Sequence, residues 1–268
     1  GCNFNQINWT VDTTLLGIIS GTAATAIYGV GSQINQYYMA LSTSISGVFT
    51  PQINRIVARG EGDEQLTKLF TRVGRIQFML LMLVLTGFVF VGEPFICAWG
   101  GEEYGAAYWI ALLLIAPVTV PLIQNIGIEI QRAKNMHQFR SKVYFCMAIG
   151  NALVSIPLGM KFGGIGCALG TAISMVVGNG FIMNWYYQTH IGLDMRYFWK
   201  HILSIVPAML PAVALGIIAV RLHTFTGYAG VVTFAVPYAA VYAVGLYLFA
   251  MDESEKNMVR GVMRKIRR

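Results

Sequence analysis

The sequence predicts an all-α membrane protein, a polytopic bundle of about eight transmembrane helices. Hydrophobic residues make up 56% of the chain and charged residues 12%, whereas soluble domains carry about twice that charged fraction. The mean hydropathy is +0.59. Apolar segments near or above the ~20 residues that a helix needs to cross the hydrocarbon layer recur along the chain.

These apolar segments are the candidate membrane spans. They run roughly over residues 3–19, 22–52, 74–92, 106–131, 141–159, 164–188, 201–221 and 227–250. The first is short, and we expect it to be the end of a helix that begins before Gly1. The charged and amphipathic residues 64–75 are typical of a stretch that lies along the membrane interface before the third span.

Lys and Arg alternate between the gaps. Seventeen of the nineteen Lys and Arg residues lie in every second gap between the apolar segments or in the C-terminal tail. Only Lys161 and Arg221 lie in the other gaps. The other basic residues are Arg55, Arg59, Lys68, Arg72, Arg75, Arg132, Lys134, Arg140, Lys142, Arg196, Lys200, Lys256, Arg260, Arg264, Lys265, Arg267 and Arg268. Short cytoplasmic loops accumulate Lys and Arg because their translocation is disfavoured. We therefore expect the basic gaps and the C-terminus to face the cytoplasm.

The net charge of +7 does not indicate a nucleic-acid partner. The charges lie at helix ends, whereas nucleic acid needs a contiguous basic surface. Anionic membrane lipids are the expected partner of this charge. The four cysteines are isolated and show no metal-binding or disulfide spacing, so we interpret them as packing residues. We expect no cofactor other than a coupling Na⁺ or H⁺.

Asp12 is the unusual residue of the first segment. A charged side chain at the bilayer centre costs roughly 2.5–3.5 kcal/mol on insertion scales, so it should face a cavity or a partner. Three interpretations remain open: Asp12 binds Na⁺ or H⁺, it pairs with a basic residue outside this chain, or it lies near the interface. In a helix, Asn8 lies on the same face as Asp12, and we assign Asn8 to a substrate-binding cavity.

The second segment carries a polar stripe at helical spacing. Its members are Ser32, Asn35, Gln36, Thr43, Ser46, Thr50 and Asn54. Such a stripe either lines a wet cavity or supplies helix–helix hydrogen bonds from Ser and Thr. We favour the cavity, because the amide side chains of Asn35 and Gln36 supply more hydrogen-bonding groups than helix packing requires. Arg55 follows Pro51 and is placed to meet a phosphate, although positive-inside placement also explains it.

Two patterns mark the fifth and sixth segments. Asn151 and Ser155 are four residues apart, and they either complete a cation site with Asp12 or bond to neighbouring backbone. Gly166, Gly170, Ser174 and Gly178 form a ridge of small residues at the same spacing. This ridge predicts the close approach of another helix.

Four stretches resemble one family of transporters. They are Gln6-Ile7-Asn8-Trp9-Thr10-Val11-Asp12, Tyr28-Gly29-Val30-Gly31-Ser32-Gln33-Ile34-Asn35, Phe49-Thr50-Pro51-Gln52-Ile53-Asn54-Arg55 and Gly164-Ile165-Gly166-Cys167-Ala168-Leu169-Gly170-Thr171. Together they resemble bacterial oligosaccharide flippases of the multidrug/oligosaccharidyl-lipid/polysaccharide exporter superfamily. The resemblance runs along most of the chain.

The resemblance implies a two-lobed fold, of which this chain holds the second lobe. Residues 1–190 would form a six-helix lobe with a truncated first helix, 191–250 two additional helices, and 251–268 a basic cytoplasmic tail. An N-terminal lobe would precede Gly1. The family resemblance also implies ion-coupled export of undecaprenyl-diphosphate-linked oligosaccharide across the bacterial inner membrane by alternating access between the lobes.

The resemblance further suggests roles for individual residues. In a related flippase, a cation site is built from an Asp on the seventh helix and polar residues on the eleventh. In this sequence, Asp12 and the pair Asn151 and Ser155 occupy similar places. That eleventh helix also supplies an Asp, which Ser155 replaces, so the identity of the ion stays open. A cavity Arg on the eighth helix of that flippase has no counterpart before Arg55.

Other functions remain as alternatives. A drug or toxin exporter of the same superfamily would need a more aromatic or acidic cavity. A membrane-embedded glycosyl- or acyltransferase would need an acid/base or metal cluster, and the sequence offers none beyond Asp12. A channel is disfavoured because no pore-loop signal repeats.

Overall fold

The fold is all-α, as predicted. The computed structural model describes residues 17, 21–60, 62–136, 138–253, 255–257 and 260–261, and no strand occurs among them. Asn8, Asp12 and almost all of the predicted first span lie outside this described part. The helices are α1 (Gly21–Arg59), α2 (Asp63–Gly100), α3 (Ala107–Ile123), α4 (Ile126–Ala133), α5 (Gln138–Met175), α6 (Met183–Tyr186), α7 (Met195–Leu203), α8 (Val206–Leu222) and α9 (Gly227–Phe249).

Helix α5 is a hairpin. Gly163 interrupts it with φ 59° and ψ −136°, a conformation that only glycine adopts without strain. A Cβ on Gly166 would lie 2.0 Å from the Leu158 carbonyl oxygen, and one on Gly170 would lie 2.2 Å from Ser155 Oγ. Farther from the turn, a Cβ on Gly178 would lie 1.9 Å from the Met147 sulfur. The arms 138–162 and 164–191 therefore run antiparallel in close contact, which confirms the predicted packing role of the glycine ridge.

The second arm continues beyond α5 in irregular helix. Val176–Ile182 and Tyr187–Ile191 are π-helical, and α6 lies between them. A Gly192 in the left-handed conformation (φ 81°) ends the arm. Asp194 then caps α7, because its carboxylate accepts a hydrogen bond from the Tyr197 backbone N–H at 2.9 Å.

Length and apolarity mark several of these helices as membrane spans. Among the described residues, four continuous helical stretches qualify: Asp63–Gly100, Gln138–Ile191, Met195–Leu222 and Gly227–Phe249. The pair Ala107–Ile123 and Ile126–Ala133, bent by 42°, gives a fifth if it forms one span. The 54-residue stretch Gln138–Ile191 contains both hairpin arms, so it holds two of the predicted spans.

The predicted second span differs from the others. Helix α1 has 39 residues, long enough to cross a membrane, yet it is not among the helices apolar enough to qualify. Its polar stripe lowers its hydropathy below that of its neighbours. A helix of this composition is stable in a membrane only where its polar side chains meet protein or water.

Polar side chains join α1, α2 and α3 inside the bundle. Gln77 of α2 is fully buried, and its Nε2 donates to Ser42 Oγ at 2.9 Å and to Ser46 Oγ at 2.7 Å. Ser42 Oγ in turn donates to the Leu122 carbonyl at 2.8 Å. One helical turn earlier, the Tyr38 hydroxyl lies 2.8 Å from Thr119 Oγ1. We call Tyr38, Ser42, Ser46, Gln77 and Thr119 the three-helix junction.

The predicted basic gaps meet on one face of the bundle. Lys134, which follows α4, donates to Asp63 Oδ1 at 2.5 Å and to the Ile191 carbonyl at 2.7 Å. It therefore joins the start of α2, the end of α4 and the end of the hairpin. We call this side of the bundle the basic face.

A second cluster on the basic face surrounds Arg75. Its guanidinium donates to the Glu255 carboxylate at 2.9 and 3.1 Å, to the His201 carbonyl at 2.9 Å and to the Ala250 carbonyl at 2.7 Å. The side chains of Arg75 and Glu255 are both 5% exposed. Arg75 thus ties α2 to the ends of α7 and α9 and to the first residues of the C-terminal tail.

The last two membrane helices pack against α2. A Cβ on Gly216 of α8 would lie 2.4 Å from the Phe90 ring, and Phe90 also contacts Phe234 and Tyr238 of α9. The Tyr242 hydroxyl donates to the Met79 carbonyl at 2.8 Å. The predicted additional helices are therefore integrated with the rest of the bundle through α2.

Gly170→Ala should destabilise the hairpin, because its Cβ would clash with Ser155. Overpacking of this kind costs typically 1–3 kcal/mol. Gly150→Ala is the matched control, since a Cβ at Gly150 meets nothing within 4 Å. Thermal unfolding of the purified chain in detergent measures the effect. Equal melting temperatures for the two variants would contradict the hairpin packing.

Candidate functional site

The polar stripe of α1 is divided between two environments. Ser32, Asn35 and Ser46 are buried, at 4%, 9% and 5% exposure. Gln36, Thr43, Asn54 and Arg55 are exposed. The stripe therefore lies on the border between a face that packs on the bundle and a face that does not.

The buried half of the stripe has two levels. Ser46 belongs to the three-helix junction, where it accepts a hydrogen bond from Gln77. This is the helix–helix hydrogen bonding that stood as the alternative to a cavity. Closer to the start of α1, Ser32 Oγ and Asn35 Oδ1 are buried without a hydrogen-bond partner among the described residues.

Within the described residues, the exposed half of the stripe makes no hydrogen bond to another helix. Thr43 Oγ1 donates to its own helix, to the Ala40 carbonyl at 3.1 Å, and Ser44 does the same at 2.8 Å. The amide of Gln36 stands on the same exposed side. This combination of amide and hydroxyl groups can donate and accept hydrogen bonds with water or with hydroxyl-rich ligands. Arg55 lies at the end of α1 that approaches the basic face.

Asn151 and Ser155 lie inside the hairpin. Both are fully buried, and Asn151 Oδ1 accepts hydrogen bonds from Ser155 Oγ at 2.9 Å and from Thr171 Oγ1 at 3.2 Å. Ser155 Oγ also lies 3.4 Å from the Cys167 carbonyl. Asn151 Nδ2 has no partner among the described residues. The structure thus joins Asn151, Ser155 and Thr171 into one cluster.

The orientation of the Asn151 amide decides what this cluster can bind. With Nδ2 unpaired, it presents a donor that suits a carboxylate. A flipped amide would donate from Nδ2 to both hydroxyls and present Oδ1 instead. An amide oxygen is a suitable ligand for a hard monovalent cation, so either orientation leaves one group for a ligand or for another side chain.

Asn184 is a site residue that the sequence analysis missed. Its Nδ2 donates to the Asn179 and Gly180 carbonyls at 2.8 and 2.9 Å, within the π-helical segment. Its Oδ1 accepts from Gln124 Nε2 at 3.0 Å and from Trp199 Nε1 at 2.8 Å. Gln124 lies at the break between α3 and α4. One amide therefore connects the two irregular backbone regions of the bundle.

Gln77 and Gln131 are two further buried amides that were missed. Gln77 lies in the three-helix junction, and Gln131 of α4 is fully buried with neither side-chain atom partnered in the described part. For Gln77 the available signal was the only amide in the apolar segment 74–92, whereas Gln131 follows Gln124, Asn125 and Glu129 and gave no such signal. His, Cys, Asp and Glu residues in the described part form no group of three or more that could hold a metal ion.

The fold and the site define a multi-pass α-helical membrane protein with a polar, partly exposed helix. A stretch of 174 residues is 26% identical to the probable flippase AglR of Haloferax volcanii. The match covers 63% of this chain and 36% of that protein, so it spans about a third of the relative's length. This distant similarity supports a flippase-like family. No family model and no solved structure matches the chain.

Asn184→Ala should destabilise the bundle, because it removes the hydrogen bonds that Asn184 accepts from Gln124 and Trp199. The change leaves buried donors and acceptors unpaired, at about 1–3 kcal/mol each. In a double-mutant cycle with Gln124→Ala, the two losses in unfolding free energy should be non-additive, because the side chains share a hydrogen bond. Denaturant unfolding in detergent measures both.

Asn54→Ala, on the exposed side of α1, is the control for Asn184→Ala and should leave stability within about 0.5 kcal/mol. Additive losses for Asn184 and Gln124 would contradict the connection between the two irregular regions.

Proposed function

We propose that the protein is a membrane transporter, a flippase that moves a lipid-linked oligosaccharide across the membrane. The substrate class is an undecaprenyl-diphosphate-linked repeat unit, moved by ion-coupled alternating access. The observation that carries the proposal is the exposed polar side of α1 within an otherwise apolar bundle. Similarity to a probable flippase supports it.

The substrate would contact the exposed side of α1. Gln36 and Thr43 offer the donors and acceptors that sugar hydroxyls need. Arg55, exposed near the basic face, would meet the diphosphate, because a guanidinium binds phosphate oxygens in a bidentate manner. Asn8, Ser32, Asn35 and Ser46 complete the proposed cavity lining. The burial of Ser32, Asn35 and Ser46 requires that α1 move before they reach substrate.

The coupling ion would bind between Asp12 and the Asn151 cluster. The unpartnered amide group of Asn151 is fully buried next to Ser155 and Thr171. Asp12 would supply the negative charge that Na⁺ or H⁺ binding requires. Because a charge in the membrane interior is costly without a partner, this pairing would also stabilise Asp12.

The proposed location is the bacterial inner membrane, with the basic face and the C-terminus in the cytoplasm. Contacts of Lys134 and Arg75 support one common side for the basic gaps. A second lobe, N-terminal to this chain, would close the cavity over α1. This chain, residues 1–190 with the two added helices and the tail, would then be the C-terminal part of the transporter.

A multidrug or toxin exporter of the same superfamily is the second candidate, and a membrane-embedded glycosyl- or acyltransferase a weaker third. Gln36 and Thr43 on the exposed side of α1 are polar, and no charged residue lies between them; Tyr37 and Leu41, which are also exposed, lie beside them. This composition suits sugars better than the amphipathic cations that drug exporters bind.

A flipping assay tests the proposal. The transporter that contains this chain is reconstituted in vesicles with a fluorescent undecaprenyl-diphosphate oligosaccharide, and reduction of the outer label by dithionite is followed. We expect label in both leaflets to be reduced, and Asp12→Asn and Arg55→Gln to slow this by more than about tenfold, the effect of losing ~1.4 kcal/mol. Arg221→Gln is the charge-matched control and should flip normally.

Two outcomes would contradict the proposal. If half of the label stays protected from dithionite in vesicles that contain the unaltered protein, the protein does not move the lipid between leaflets and is not a flippase. Transport of ethidium instead of the labelled lipid would favour the drug exporter. Normal flipping by Asp12→Asn would exclude Asp12 from ion coupling while leaving the flippase function in place.

A further inference from the structure

An apolar groove runs between α2 and α9. Its volume is about 250 Å³, and two of its lining residues, Val84 and Ala235, are exposed, so the groove opens to the outside of the bundle. Aromatic walls come from both helices, Phe88 from α2 and Phe234 and Tyr238 from α9. Of the described residues that line the groove, only Tyr238 carries a polar side-chain atom. Water is therefore not its natural occupant, because apolar cavities stay dry.

Small residues create the groove. Toward the basic face, α2 and α9 are joined, because the Tyr242 hydroxyl donates to the Met79 carbonyl at 2.8 Å. Farther from that face, the Phe90 ring lies 5.8 Å from the rings of both Phe234 and Tyr238. Beside this aromatic contact the two helices present residues with little or no side chain, namely Gly87 and Gly92 of α2 and Ala235 and Ala239 of α9. The space that these small residues leave is the groove.

The groove lies within the hydrocarbon layer. Both α2 and α9 are long and apolar enough to span a membrane. At ~1.5 Å per residue, the part of α9 that lines the groove, 231–239, lies roughly 6–18 Å from the helix start at Gly227, the end opposite to the basic face. Because the hydrocarbon core is ~30 Å thick, the groove is mostly in the leaflet opposite to the basic face. Its exposed neighbours Val89, Val232 and Val236 are apolar, as contact with lipid requires.

We propose that the groove binds one acyl chain of a phospholipid from that leaflet. Its size suits a single chain, because at about 30 Å³ for each group of the size of water or methylene, the groove holds roughly eight such groups. A transmembrane helix, about 10–12 Å in diameter, is too wide for it. Transfer from surrounding lipid supplies no hydrophobic driving force, so dispersion contacts with the aromatic walls hold the chain.

The narrowest point of the groove favours an unbranched chain. A Cβ on Gly87 would lie 3.8 and 4.0 Å from two ring atoms of Tyr238, which is an ordinary van der Waals distance. One carbon thus fills the gap between this glycine and that ring, which matches the width of a linear acyl chain and not that of a methyl-branched isoprenoid chain. The inference needs only the membrane insertion of α2 and α9, and it does not rest on transport.

A phosphatidylcholine with a diazirine on one acyl chain tests the groove. The transporter that contains this chain is reconstituted in nanodiscs with this lipid as a minor component and illuminated, and mass spectrometry locates the label. We expect Phe88 and Ala235 to be labelled roughly tenfold more than Val232 and Val236, as for a preference of ~1.4 kcal/mol. Because Val232 and Val236 are 59% and 64% exposed, lipid that touches the surface at random would label them instead. Equal labelling, or that reverse order, would overturn the proposal.

Side chains that fill the groove should remove its label. Ala235→Leu should lower the labelling of Phe88 roughly tenfold, because the acyl chain loses its contacts with the walls. Ala240→Leu is the matched control and should leave this labelling unchanged, since Ala240 is exposed on the same helix outside the groove. Gly87→Leu fills the groove from α2 and should repeat the effect of Ala235→Leu. Gel filtration and thermal unfolding check that each variant is folded, and unchanged labelling in a folded, filled variant would overturn the proposal.

A second probe identifies the kind of chain. Undecaprenyl phosphate with a diazirine in its isoprenoid chain, at the same concentration, should label Phe88 and Ala235 no more than Val232 and Val236. Selective labelling of the groove by this probe, with loss of the acyl label when both lipids are present, would overturn the assignment to an acyl chain. Protection of Phe88 from both probes in a protein that is dimeric on gel filtration would show that a second copy covers the groove, which also overturns it.

Discussion

The bundle depends on the pairing of polar groups inside the membrane. Hydrocarbon offers no hydrogen bonds, so a polar side chain there must find its partner within the protein or in a water-filled space. The three-helix junction meets this requirement for one side of α1, through Gln77 with Ser42 and Ser46 and through Tyr38 with Thr119. The same helix presents Gln36 and Thr43 on a side that packs on nothing in the described part. This contrast between a packed side and an exposed polar side of α1 underlies the proposed function.

The irregular regions of the bundle are also held by single polar side chains. Asn184 connects the π-helical segment to the break between α3 and α4, and Arg75 connects α2 to the ends of α7 and α9. Both side chains use nearly all of their hydrogen-bonding capacity. π-Helical segments occur frequently at functional sites. The hydrogen bonds of Asn184 stabilise the π-helical part of the second hairpin arm against the break between α3 and α4.

Much of the fold could be predicted from the sequence, because membrane insertion limits the choices. Apolar length located most of the membrane helices, but it did not predict that residues 64–75 continue α2 or that the span 106–131 breaks after Ile123. The glycine spacing from Gly166 to Gly178 predicted a close helix contact, whose partner, the other hairpin arm, emerged only in the structure. The alternation of Lys and Arg grouped gaps that prove to share one face, through Lys134 and Arg75. These are local or one-dimensional signals that do not depend on the rotation of each helix.

The site was harder to predict, because it depends on that rotation. The stripe from Ser32 to Asn54 has helical spacing, but spacing alone does not show that Ser46 faces Gln77 while Thr43 faces outward. Likewise, Asn184 gave no pattern of its own, since its partners Gln124 and Trp199 come from separate segments. The Asn151 cluster was identified as a pair with Ser155, and its third member Thr171 comes from the opposite hairpin arm.

The surroundings of the exposed side of α1 can be measured directly with spin labels. Labels on Gln36→Cys, Thr43→Cys, Leu41→Cys and Val48→Cys would all be exposed, since Leu41 is 39% and Val48 74% exposed in the structure. In reconstituted transporter, we expect labels at 36 and 43 to relax faster with a water-soluble nickel chelate than with oxygen. Labels at 41 and 48 should show the reverse, because apolar positions face lipid. Preference for oxygen at all four positions would contradict a wet cavity along α1.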